Sequence, residues 1–304
     1  PGQPGQPGGT QTGGTQPGQQ GQPGQQGQPG QPGGVVPPKD YKPPVGGTTD
    51  YKPPVGGVAN LPTGPANSFQ PNQVAGFTPN QMAAFKPEQI AQLAPNAVGA
   101  FNSQQVQALP PAAFAGMGAD QMKAMPPAAM AGMGAQQFGQ LPPSAMAGMG
   151  ANQMKELPPA AFAGMGADQM QAMPPTAMQG FDSKAVGAMA PEAFAGMGAA
   201  QMKAMPPTAM AGMGAQQLNQ LAPATFKEMT PQQVKALPPT AFAGMTPTQL
   251  GQMSNTSVKA MATQDIALLT PEAVAGMKLA QAKSMSTAQL GALTKEQVAK
   301  MSAS

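Results

Sequence analysis

The sequence predicts an all-α solenoid of short helices, one per eight-residue repeat. Three observations predict it: an apolar beat of eight, a proline at one fixed place in the beat, and a helix-capping signature around that proline. The beat comes first. Every eighth residue from Phe69 is large and apolar, through Phe77, Phe85, Leu93, Phe101, Leu109, Met117 and Met125 to Leu293 and Met301. A second apolar column runs three residues ahead of it, from Val74, Met82, Ile90, Val98 and Val106 to Leu290 and Val298, with Ala282 as its small member. Residues 70–301 thus make 29 octads, and the array is expected to occupy residues 69–304.

The proline settles which local structure carries the beat. It occupies the second octad position in 16 units, among them Pro79, Pro87, Pro95, Pro231 and Pro271. One continuous helix would be broken at each of them, and its apolar stripe would drift by roughly 80° per octad. A single strand fails because a spacing of three sends the two columns to opposite faces. A β-solenoid with Pro/Gly corners is the runner-up, weakened by the Ala, Gln and Gly that fill the other positions.

The capping signature then fixes where each helix starts. In "TPNQMAAF" (78–85), Thr78 stands at the N-cap and Pro79 at the first helical position, while Gln81 can return its side chain to the cap amide. "TPEAVAGM" (270–277) and "TKEQVAKM" (294–301) follow the same grammar. Two apolar residues three apart then share one helix face. In the middle of the array "PPAAFAGM" (110–117) alternates with "GADQMKAM" (118–125), which gives a 16-residue superperiod. Gly116, Gly132, Gly148, Gly164, Gly196 and Gly212 recur just ahead of a column residue in the Pro-Pro units. Such a glycine serves either close approach between coils or the ending of a helix. An octad alone cannot offset the cost of ordering its own backbone, so stability has to come from stacking.

Ahead of the array, residues 1–57 read as a disordered low-complexity tether, and 58–68 as a short lead-in. "GQQGQPGQQGQPGQPGG" (18–34) keeps glycine at every third place for only a few triplets, too few for a collagen helix, so a solvated coil with polyproline bias is expected. Two copies of "DYKPPVGG" follow, at 40–47 and 50–57, with an extended Lys-Pro-Pro core and glycine swivels. "LPTG" (61–64) is one residue short of a sortase signal and has no hydrophobic tail behind it.

Composition removes several function classes. The chain has no Cys, His, Trp or Arg, and its 304 residues carry a net charge of +3 with 9% charged. Without His or Cys the commonest general base and thiol nucleophile are missing, and the carboxylates are scattered singly, so no catalytic residue is assigned and no enzyme is expected. Sparse lysines without arginine do not make a nucleic-acid surface. No apolar run is long enough to span a membrane. All 26 Met and all 11 Phe fall in the two columns, where Met exchanges with Leu, Phe, Val and Ile. Free exchange with side chains that cannot ligate points to core filling. Pairs such as Met122/Met125, Met130/Met133, Met146/Met149, Met170/Met173, Met202/Met205 and Met210/Met213 leave Cu(I) or Ag(I) binding as a minor alternative, but no metal site and no cofactor are assigned.

"FTPNQMAAF" (77–85), "FKPEQIAQL" (85–93), "MTPQQVKAL" (229–237) and "LTKEQVAKM" (293–301) resemble the Leu-Thr-x-x-Gln-Ile/Val-x-Ala-Leu octapeptide repeats of very large bacterial surface and secreted proteins. The resemblance covers residues 69–301 and implies an extracellular or cell-surface stalk or spacer, with no catalytic residues to carry over. The expectation is therefore a non-catalytic structural repeat protein. The alternatives are a repeat surface that binds a peptide or polymer, and a fibre subunit. Homotypic end-to-end or lateral association, and attachment to a surface or matrix through the tether, are the expected partnerships.

Overall fold

A computed structural model of the chain describes residue 61 and residues 64–301, all within the unit Gly46–Ser304. Every described element is a helix, and the described residues contain no strand, which removes the β-solenoid reading. From Pro71–Ala75 to Lys295–Met301 each octad contributes one short helix. The expected tether, residues 1–57, lies outside the described residues. The array starts slightly earlier than the beat suggests. A short 3-10 turn, Ala66–Ser68, precedes the first octad, and its Ala66 is buried. Alanine in the second column was too small to register as a repeat.

The capping signature acts as the sequence predicts. The Thr78 hydroxyl accepts the Gln81 N–H at 3.3 Å, and Gln81 Oε1 accepts the Thr78 N–H at 2.9 Å. Thr230 with Gln233, Thr246 with Gln249 and Thr294 with Gln297 repeat the reciprocal pair. Where glycine is the cap residue only the returning half remains, as in Gly118 N–H to Gln121 Oε1 at 2.8 Å. At 270–277 the opposite half remains, because Ala273 can only donate its N–H to Thr270. The six-residue helices and turns stop at their column residue, which is extended (Leu93, φ −62°, ψ 132°), whereas the four- and five-residue helices stop short of it, as at Ala83 and Gly99.

The superperiod is visible in helix type. Six-residue α-helices such as Ser103–Ala108, Ala119–Ala124 and Ala151–Glu156 alternate with tighter units. The latter are 3-10 turns (Pro111–Gly116, Pro159–Gly164) or four-residue α-helices (Pro127–Met130, Pro143–Met146). Stacking follows a rule of three. Ala151–Glu156 packs against Pro127–Met130 three octads before it and against Pro175–Gly180 three octads after it. A coil of the solenoid therefore takes between three and four octads.

Both apolar columns face one continuous core. Met122, Met130, Phe138, Met146 and Phe162 are at most 1% exposed. At the far end the second column opens. Leu290 and Val298 are 44% and 50% exposed, since no described helix stacks beyond them.

The recurring glycines mark close approach and not helix endings, for none adopts the left-handed conformation. A Cβ on Gly148 would lie 2.0 Å from the carbonyl oxygen of Ala119, and one on Gly116 would lie 1.9 Å from that of Pro87. Both contacts run between octads three apart, and three is odd. An alternating array thus always sets a Pro-Pro octad, with its glycine, against an octad of the other type. Gly150 is different: a Cβ there would meet only its own Gln153 Oε1, at 3.7 Å.

Two outcomes are expected. Gly148→Ala should destabilise the array by about 2 kcal/mol or more, because backbone must move to clear the methyl group. Gly150→Ser should stabilise it by about 0.3–0.5 kcal/mol through the missing half of the capping pair. Thermal unfolding followed by circular dichroism compares them. Deleting residues 118–133, two octads, should leave a cooperative fold. Deleting 118–125 alone should not, because it sets octads of the same type against each other across the junction. Urea unfolding of the two deletions separates these outcomes.

Candidate functional site

The side chains with directed chemistry in this array are the glutamines of the fourth octad position, which are buried from Gln105 onward. At the fourth octad position Gln105, Gln121, Gln137, Gln153, Gln169, Gln201, Gln217, Gln233 and Gln249 are each at most 7% exposed. The carboxamide oxygen is used locally on the cap N–H. Its NH2 group points the other way, into the preceding coil. Gln153 Nε2 donates to the carbonyls of Met122 and Met125 at 2.6 and 2.8 Å, and Gln233 Nε2 to those of Met202 and Met205 at 2.6 and 2.8 Å. Gln297 does the same to Ile266 and Leu269.

The accepting carbonyls lie at the C-terminal end of a helix four octads earlier, where each keeps a lone pair to offer; that of Met122 also accepts the Met125 N–H at 3.2 Å. One amide therefore closes the start of its own helix and the end of another. Four being even, the bridge joins octads of like type. Sequence reasoning placed glutamine at the cap, as at Gln81, and expected no bond from it to another coil. The structure corrects this. The available signal was a glutamine fixed at one position every 16 residues, beside a third position that varies among Asp, Asn, Gln and Ala.

Variants of the position show what it requires. Ser257, in a Pro-Pro-type register, reaches a single carbonyl, that of Met229, at 2.6 Å. Asp265 accepts the Ala262 N–H at 2.6 Å but has no NH2 to give the coil before it. Burial pushes its carboxyl above the usual carboxylate range, while the Ala262 N–H pulls the other way by favouring the anion. Ala185 supplies nothing, and Asp182 caps its helix instead through the Ala185 N–H at 2.8 Å.

Among the described residues, groups able to hold a metal ion are not brought together. No cluster of three or more carboxylates forms among the described residues. The six Met-x-x-Met pairs lie in the core, none more than 3% exposed. No described helix is long and apolar enough to cross a membrane. The outer surface offers shallow seams between coils, such as the one lined by Pro191, Glu192, Ala215, Gln216, Asn219 and Gly244. Lys300 and Glu272 approach to 3.7 Å on the exposed face between the last coils, a contact worth little in water.

Asp265 generates a pH prediction. A carboxyl with a raised pKa binds its proton more tightly in the folded state, so the ionised form costs stability above the folded pKa. That cost is relieved as pH falls through the folded pKa toward the unfolded one. Asp265→Gln should raise stability at neutral pH by about 1–3 kcal/mol, by removing a buried anion and restoring the bridge. The gain should shrink as pH is lowered through the carboxylate range. Denaturant midpoints of both proteins between neutral and mildly acid pH check it.

No protein-family model matches the chain, and a search of curated proteins finds no significant relative.

Proposed function

We propose that the array is a non-catalytic structural spacer, an extracellular or cell-surface stalk that holds what it is joined to at a set distance. The observation that supports this reading is the carboxamide bridge, which recurs in one form from Gln105 to Gln297. A bridge of this kind lets length grow by adding octad pairs without a new type of contact. The fourth-position amides are spent between coils and the thioethers in the core. What faces outward is mainly Ala, Gln, Asn, Thr and scattered Lys. The likeness of "MTPQQVKAL" (229–237) to surface-protein octapeptide repeats supports the same reading.

Homotypic end-to-end association is the second reading, favoured by the exposed Leu290 and Val298 at one end of the core. Small-angle scattering on the full chain and on variants lacking one, two or three octad pairs tests both. A spacer loses maximum dimension in equal steps at every concentration. End-to-end association makes the dimension grow with concentration, and Leu290→Lys with Val298→Lys abolishes that growth. Unequal steps in dilute solution would count against the spacer.

A further inference from the structure

One octad of the glutamine-bearing type lacks its glutamine, and the space is not refilled. In 182–189 the bridging position is Ala185, 4% exposed. By the spacing of every other bridge, the carbonyls of Met154 and Leu157 are the acceptors such a glutamine would serve. In the preceding like-type pair, Gln169 serves Phe138 and Leu141, and in the following one Gln201 serves Met170 and Met173. The N–H of Asp182 likewise lacks the carboxamide oxygen that Gly166 and Gly198 have at 2.8 and 2.7 Å. At this place the structure has a cavity of about 290 Å³ whose lining includes Met154, Leu157, Phe162, Phe181, Asp182 and Ala185. Among the described residues, the Asp182 N–H and the Met154 and Leu157 carbonyls make no hydrogen bond, and all three residues line the cavity.

We propose that this notch is a binding site for a primary carboxamide. The ligand's oxygen accepts from the Asp182 N–H, and its two N–H groups donate to the Met154 and Leu157 carbonyls, reproducing what a glutamine does at the other positions. Its alkyl part lies against Phe162 and Phe181. A neutral amide suits the notch better than an ammonium ion, because Lys155 and Lys184 also line the cavity and oppose the single carboxylate of Asp182. A secondary or tertiary amide lacks one or both N–H groups. Two sources share this chemistry: a free small amide, and the glutamine side chain of a peptide, for example one with the sequence "PGQQGQPGQQG" (17–27).

The test titrates the full, isotope-labelled chain and follows the backbone amide resonances of Asp182 and Leu157. The probes are propionamide, N,N-dimethylpropionamide, the synthetic peptide of residues 17–27, and the same peptide with each Gln replaced by Glu. Saturable shifts are expected with propionamide, and roughly tenfold or greater weakening with the dimethyl amide, which has lost both donors. In Ala185→Gln the tethered side chain should occupy the notch and abolish the response. Tighter binding of the glutamine peptide than of its Glu counterpart identifies the source as a chain segment, and a response to propionamide alone identifies it as a free amide. No saturable shift with either probe, or equal binding of the dimethyl amide, overturns the proposal. The dimethyl comparison is made on the native chain, so it holds whether or not the Ala185→Gln protein folds.

Discussion

The buried glutamine carboxamide is the interaction on which the array depends. A helix of six residues leaves most of its N–H groups and carbonyls without partners inside the helix, and a solenoid of such helices multiplies the problem at every corner. Hydrophobic columns do not solve it, because burial has no direction. Leu, Met and Phe side chains would accept several relative rotations of neighbouring coils. The carboxamide has direction at both ends. In Gln153, the oxygen is held by the Gly150 N–H at 2.8 Å and the nitrogen by Met122 and Met125. Those three bonds fix which octad lies over which, and the apolar columns then fill the space so defined.

The superperiod follows from the same geometry. Stacking joins octads three apart and the amide bridge joins octads four apart, so two alternating octad types keep both relationships consistent along the whole array. The glutamine type meets its own kind through the bridge and meets the Pro-Pro type through packing. Glycine is needed where backbones come nearest, at Gly116, Gly132, Gly148 and their equivalents. The alternation loosens near the end. Glutamine fills the bridging position in successive octads at Gln281, Gln289 and Gln297, and the glycine position holds Ala260 and Ala292. Here Leu268, Leu279, Leu290 and Val298 are exposed.

Much of this was legible in the residues themselves. The beat of eight gives the helices and their buried faces, and "TPNQMAAF" (78–85) gives the start of each helix. Periodicity could not give the number of octads per coil. That number depends on which distant carbonyls an amide reaches, a contact about thirty residues away that leaves no local mark. The second contact of the glutamines was hidden for a related reason. A polar side chain at a fixed position looks like a solvent face unless its partners are known, and those partners are backbone atoms, which have no sequence signature. Met posed the opposite case. Its exchange with Leu and Phe in both columns identified it as core, and Met122, Met170 and Met210 are fully buried.

An amide ladder has a physical advantage over an ionic one in a spacer. Charge pairs between exposed coils would weaken with salt and titrate with pH, and buried ones would carry a large desolvation cost. A carboxamide does neither across the accessible pH range, and it supplies donor and acceptor in one rigid plane. Asp265 makes the contrast within the chain itself. The acid fits the cap, accepting the Ala262 N–H at 2.6 Å, yet burial opposes its charge and it has no second hydrogen to send into the preceding coil. A ladder built of such residues would hold its helices but not its coils. Alternation of glutamine with small residues thus answers two separate demands, a neutral directional link on one set of octads and room for backbone contact on the other.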